Sequence, residues 1–354
     1  MLRVRALALL SVAVVAGVAC TRSTLDLTRG NGNGWWDAAW TYRQPVDLVA
    51  GAAVVPSGYS IALTFDHATL VAAGHAAADG HDLRVVADVG GSLTELDRIL
   101  DDGSGWNSAS TRIWFRTPAA IAAGATSRAW IYYGNAAAGP APENPSAVYL
   151  FYDDFESGDL SRWTPVLDGN GGGYWSSSTA QARSGTHALH AGATGSRKVI
   201  VASGVDGNDV AFSAWWYATA ATSLDFSQAV RAGSTTPLNM YKSNFYSGSG
   251  WDVSKIVSDN YTQISTPHGA FSTGTWTQVT ILMVGTKLRV LKDGAQVSPP
   301  GGATDVGTEL GSGSVGFQDA NVPAGQDVWV DDAVARRYVE PEPTATAGAE
   351  EPHP

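Results

Sequence analysis

Short alternations of apolar and polar residues recur along nearly the whole chain, each cut off by Gly, Pro, Asp or Asn. No stretch of a dozen residues carries a helical period. Residues 42–49, 59–65, 82–87, 111–116 and 128–133 read as a first set of strands, and a dozen more follow between 148 and 338, among them 210–217, 239–243, 276–283, 287–292, 314–318 and 327–330. Alternation of period two gives a strand two unlike faces, so strands spaced this closely bury their apolar faces by stacking sheets. Forty glycines among 354 residues supply the turns, and 13 tryptophans supply bulk for the interior. Only 68–78 and 118–123 are rich enough in alanine for a turn or two of helix. The expected fold is all-β, with two β-sandwich domains in tandem, and the length suffices for two cores.

The segment 134–147, GNAAAGPAPENPSA, breaks the strand series with three prolines. It places an N-terminal β-sandwich at 35–135, a linker at 136–147 and a second domain at 148–339. The end, EPEPTATAGAEEPHP at 340–354, is acidic and proline-rich with little to bury, and reads as a disordered tail. At the start, Arg3 and Arg5 precede an apolar run and small residues that lead into Cys20. That is the layout of a secretory signal peptide over 1–19, followed by a polar, glycine-rich tether over 20–34. The stretch GWWDAAWTYRQPVDL at 34–48 then concentrates three tryptophans at the start of the first domain. Alternation puts Trp40 and Tyr42 on one core-like face, with Trp35 and Trp36 plugging an open end of the sandwich or the seam between domains.

Cys20 is the only cysteine, so it has no disulfide partner within the chain. AGVAC resembles a bacterial lipobox, with Gly17 where that family has Leu, and the resemblance implies acylation of Cys20. The chain is then exported and lipid-anchored at a bacterial outer membrane or cell surface, the alternative being a secreted or periplasmic protein cut at Ala19. A formal net charge of −11 without any basic run removes nucleic acid from the partners.

Four blocks carry a resemblance in the first domain: Trp40-Thr41-Tyr42-Arg43, Asp79 through Val85, Arg112-Ile113-Trp114-Phe115, and Trp130 through Asn135. They resemble a bacterial extracellular family, domain of unknown function 2341, which implies no chemistry. In the second domain the carriers are Trp276 through Ile281, Gly285 through Val290, the turn Asp293-Gly294, and Val328 through Asp332. These are similar to the concanavalin A-like, laminin-G-like jelly rolls, a fold that serves lectins, hydrolases and adhesion modules alike.

That second resemblance implies one structural calcium ion, held by Asp154 or Glu156, the Ser184-Gly185 loop, and Asp331 or Asp332. The other reading makes these residues solvated strand ends and turn caps. No other cofactor is expected. Strand geometry sets Asp153 against Glu156, and Asp331 against Asp332, on opposite faces, and the E-x-D-x-E strand of the hydrolase branch is missing. No G-x-S-x-G elbow, P-loop or H-x-x-x-H pattern is present either. An enzyme is therefore not expected.

Aromatics point elsewhere. A sugar stacks its apolar face on an accessible ring while Asp and Asn bond its hydroxyls. Two Gly/Ser-rich stretches offer this pairing: Tyr174 and Trp175 beside Asp168 and Asn170, and Tyr241, Asn244, Tyr246, Trp251 and Asp252 in YKSNFYSGSGWD, with Asn260 and Tyr261 nearby. Trp215, Trp276 and Trp329 lie in apolar runs and read as core. The expected activity is carbohydrate binding or adhesion through the second domain; the alternatives are a cell-envelope module that contacts another protein, and an unrecognised glycoside-active enzyme.

Overall fold

The computed structural model describes residues 34–167, 174–192, 198–220, 223–246 and 250–354. The signal segment, Cys20 and nearly all of the expected tether lie outside them, as do residues 168–173 beside Tyr174.

The first domain contains β1 (Tyr42–Val49), β2 (Ser60–Phe65), α1 (His67–Ala72), β3 (Arg84–Val89), β4 (Ser92–Leu96), β5 (Arg98–Leu100), β6 (Thr111–Arg116) and β7 (Thr126–Tyr133). A single turn, α2 (Pro145–Val148), leads into β8 (Phe151–Asp153), β9 (Trp163–Leu167), β10 (Trp175–Ser178), β11 (Ala188–Ala191) and β12 (Lys198–Ala202). Then come β13 (Val210–Ala218), β14 (Asp225–Ala232), β15 (Met240–Tyr246), β16 (Gly250–Val257), β17 (Asn260–Gln263) and β18 (Thr277–Val284). The second domain ends with β19 (Lys287–Lys292), β20 (Ala295–Ser298), β21 (Thr304–Asp305), β22 (Ser314–Asn321) and β23 (Val328–Arg337). Two further strands, β24 (Thr344–Ala347) and β25 (Glu351–Pro352), follow.

The second domain is a sandwich. One sheet runs β10-β11-β23-β13-β18-β19-β20, with β8 and β21 beside it; the other runs β17-β16-β15-β14-β22-β12-β9. Alternate residues of both, such as Phe212, Ala214 and Trp216 from β13 and Phe226, Tyr241, Trp251 and Phe317 from the facing sheet, form one core. The Asp293-Gly294 turn between β19 and β20 has φ of +49° and +78°, the left-handed pair that suits a tight hairpin.

The tail is not disordered. β24 lies between β1 and β2, antiparallel to the first and parallel to the second, and β25 pairs with β1. The sheet of the first domain therefore runs β4-β3-β7-β1-β24-β2-β6-β5 and curls around a single core. Ala345 and Ala347 pack on that core, while Thr344 and Thr346 face solvent. The acidic residues that suggested disorder each have a partner. Glu342 takes both guanidinium nitrogens of Arg336, at 2.7 and 2.9 Å, and the Tyr59 hydroxyl; Glu350 takes the Tyr133 hydroxyl and faces His75; Glu351 takes Arg43. The expected linker is pinned as well: Arg98 donates to Glu143, and its own N–H is received by the Pro142 carbonyl.

Trp35, Trp40, Trp130 and Tyr132 form a small core on the outer side of β3 and β7, with the Arg43 guanidinium 4.5 Å from the Trp35 ring. Trp40 thus lies on the opposite side from Tyr42, which packs on the main core: Trp40 closes the Asp37–Trp40 turn and β1 begins only at Tyr42, so alternation does not extend back to Trp40. Trp35 seals a sheet face within one domain, not a seam between two.

Candidate functional site

The face of the seven-stranded sheet that turns away from the core is read directly from its register. Met240, Tyr241 and Lys242 alternate sides, and Tyr241 and Phe245 belong to the core, so Lys242, Asn244 and Tyr246 point outward. Asn244 pairs with Asp252 on β16 and with Ser227 on β14, and Ser227 pairs with Gln318 on β22. One polar row, Asp252, Asn244, Ser227 and Gln318, therefore crosses four neighbouring strands, a span of about 14 Å at ordinary strand spacing. Beside it run Ser254 and Lys242, then Tyr246 and Asp225. Tyr261 on β17 stands at the margin with its ring 5.3 Å from the Lys242 ammonium.

The row is buried yet polar. Lys242 donates to Gln318 Oε1 at 2.7 Å and to Ser227 Oγ at 3.1 Å, and Ser227 donates to Asn244 Oδ1 at 2.6 Å. Gln318 Nε2 has no hydrogen-bond partner. Buried amide nitrogens are seldom left so, and each unmet one costs about 1–3 kcal/mol. Burial pushes the Asp252 carboxyl up to about 6 against the pull of Lys242, and burial followed by the Asp252 charge pushes Tyr261 up to about 12. Tyr246 and Tyr261, 51% and 46% exposed, are the large aromatic side chains left open to solvent among the described residues.

Of the expected sugar-contacting residues, the structure brings Asn244, Tyr246 and Asp252 together on this face. It removes Tyr241, Trp175 and Trp251, which are 0%, 5% and 0% exposed and belong to the core. YKSNFY is β15 and GWDV begins β16; glycine and serine suggested a loop, but alternation inside each strand sends every second aromatic inward. Tyr174 is half-buried, 5.4 Å from the Lys198 ammonium, away from the row. Lys242, Ser227 and Gln318 were missed, while Tyr261 was expected near this stretch. Period two applied to β14, β15 and β16 would have placed the first two. Trp215 and Trp276 are not core residues: Trp216 takes that place, while Trp215 lies outside under Arg183, 4.0 Å from its ring.

The calcium ligand set assembles around other partners. A bulge at Asp331-Asp332, with Asp332 at φ +47°, turns both carboxylates toward the Arg183-Ser184 loop, where regular alternation would have separated them. Asp331 accepts the N–H groups of Arg183, Ser184 and Asp332, and Asp332 accepts the Ser184 hydroxyl and the Arg183 guanidinium. Glu156 accepts the N–H groups of Thr186 and His187, beside Gly185. Asp154 receives the Glu156 N–H and the Tyr152 hydroxyl. The loop thus offers hydrogens where a hard cation needs oxygens, and Arg183 supplies the positive charge. The residues as arranged do not fit a calcium ion, and no group of three metal-binding side chains occurs among the described residues. Arg183 also reaches Asp102 of the first domain at 2.5 Å, so this cluster fastens the two domains.

Two further buried acids give the chain a pH signature. Burial, then the Asp332 charge, pushes Asp331 up to about 7, and burial pushes Asp319 up to about 8. A carboxyl whose folded pKa is raised holds its proton better folded than unfolded, so stability falls as pH rises from about 4, the unfolded value, to the folded one. Thermal denaturation should therefore show a more stable protein at pH 5 than at pH 8. Asp319→Asn should remove much of that loss, and a slope unchanged in this variant would reject the assignment.

Residues 79–166 match a family described as a domain of unknown function, DUF2341. The match begins at the Asp79-Gly80-His81 block and continues through the pinned linker into β9. No curated protein matches the sequence. Among solved structures the chain is similar to a carbohydrate binding module, CBM66, from Bacillus subtilis, at 12% identity over 50% of this chain and 96% of that one, with a TM-score of 0.39. It is also similar to a cellulose induced protein, Cip1, at 17% identity over 52% and 96%, TM-score 0.40. A third is a Bacillus subtilis protein of unknown function with a galectin-like fold, at 10% identity over 53% and 96%, TM-score 0.39.

Proposed function

We propose that the second domain binds a neutral glycan on the outer face of the β17-β16-β15-β14-β22-β12-β9 sheet. The observation that carries this is the pair of exposed rings, Tyr246 and Tyr261, set on either side of the buried polar row from Asp252 to Gln318. The tyrosines supply stacking surface for the apolar face of a sugar, and the buried row, bonded within itself, holds in register the strands that carry them. An anionic sugar is disfavoured, because Lys242 is already engaged and Asp225 and Asp252 would repel it.

In this reading the domain holds its ligand without transforming it. We place the protein at the cell surface through acylated Cys20, which a Cys20→Ser chain still found in the membrane fraction would refute. A glycan array probed with the wild-type chain and with Tyr246→Ala tests the binding. The wild type should mark neutral glycans and the variant should lose signal severalfold; a blank array for the wild type would reject the function.

A further inference from the structure

We propose that this chain exchanges its C-terminal strand between two copies, residues 344–352 of each filling the slot between β1 and β2 of the other to give a reciprocal dimer. The slot lies inside the sheet. Without β24, both β1 and β2 would present unpaired backbone edges, and a bare edge is a template for a strand from elsewhere.

What recognises this segment belongs to the first domain, more than 200 residues earlier in the chain. The Pro45 carbonyl receives the Gly348 N–H at 2.7 Å, and the Thr41 carbonyl receives the His353 N–H at 2.8 Å. Arg43 and Tyr133 hold Glu351 and Glu350. These contacts are the same whether the strand comes from its own chain or from a second copy, so only the tether decides between them.

That tether is short and stiff. β23 of the second domain ends at Arg337 and β24 of the first begins at Thr344, which leaves six residues, 338–343, two of them Pro341 and Pro343 with fixed φ. Short hinges that join an element to a separate body favour exchange, and reciprocal exchange closes as a two-fold dimer. A short flexible tether would correspond to an effective concentration on the order of 1 mM, and the two prolines narrow the geometries in which this one can reach its own slot. The exchanged form should then match the closed one as the chain approaches that concentration.

A disulfide trap tests this. Asp47 and Thr346 pair across β1 and β24 on the solvent side, so Asp47→Cys with Thr346→Cys, in a full chain carrying Cys20→Ser, can bond only where the strand is seated. The chain is unfolded, refolded and oxidised at about 10 µM and at about 1 mM, concentrations well below and close to the tether's effective value, then run without reductant. Thr346→Cys alone sets the background of random contact. We expect closed monomers at the lower concentration, and at the higher one covalent dimers well above background, rising about in proportion to concentration. Closed monomers alone at both would overturn the exchange. Absence of any bond would overturn the seating of the strand on which it rests.

Discussion

Deleting residues 340–354 should lower the melting temperature of the first domain by roughly 12 °C and make the protein prone to aggregate. The ladder to β1 and β2 is lost, Ala345 and Ala347 uncover the core around Leu48 and Leu63, and Arg336, Arg43 and Tyr133 lose their acidic partners. Hydrogen bonds to charged groups contribute about 1.5–3 kcal/mol each, and ordering fifteen residues offsets part of that, so the net loss is about 3 kcal/mol. For a domain of this size each kcal/mol shifts the melting temperature by about 4 °C. The two new edges account for the aggregation. Calorimetry of the truncated chain checks this: melting within about 2 °C of wild type would mean the strand adds nothing to the sheet. Glu342→Gln with Glu350→Gln, which keeps the strand and removes its charges, should fall between the two.

Trp251→Ala should act on stability, with any effect on ligand following from unfolding. Its ring is fully buried, 5.2 Å from Trp216 and 5.0 Å from Phe245, in the core between the two sheets of the second domain. Deleting a large aromatic from such a site leaves a cavity its neighbours only partly fill, at a cost of about 3–5 kcal/mol. Denaturant titration should show a lower midpoint with the slope retained. If the variant keeps wild-type stability but loses glycan binding, Trp251 is a stacking residue and the reading of this face is wrong.

Where bulky residues alternate, the sequence already declared the strands. YRQPVDLV, TRIWFR and KLRVLK occupy the strands expected of them, because each carries enough apolar surface on one side to orient itself. TATA was illegible for the opposite reason. Two alanines bury little, and the strand exists because β1 and β2 offer it backbone partners and Arg336, Tyr133 and Arg43 neutralise its acids. The site was half visible. Asn244, Tyr246 and Asp252 stood out in a polar setting, but that setting hid which neighbours face inward. Gln318 comes from β22, some seventy residues later, and only the strand order β15-β14-β22 brings it into the row. The Asp331-Asp332 pair misled in another way, since a bulge defeats any argument from alternation.

The most direct test of the account is calorimetric titration of wild type, Tyr246→Ala and Tyr261→Ala with the strongest glycan from the array. Both rings are about half exposed, so neither change should move the melting temperature appreciably. Loss of a stacking face is expected to weaken binding by about 1 kcal/mol, close to fivefold, in each variant. Wild-type affinity in both would contradict a glycan site on this face.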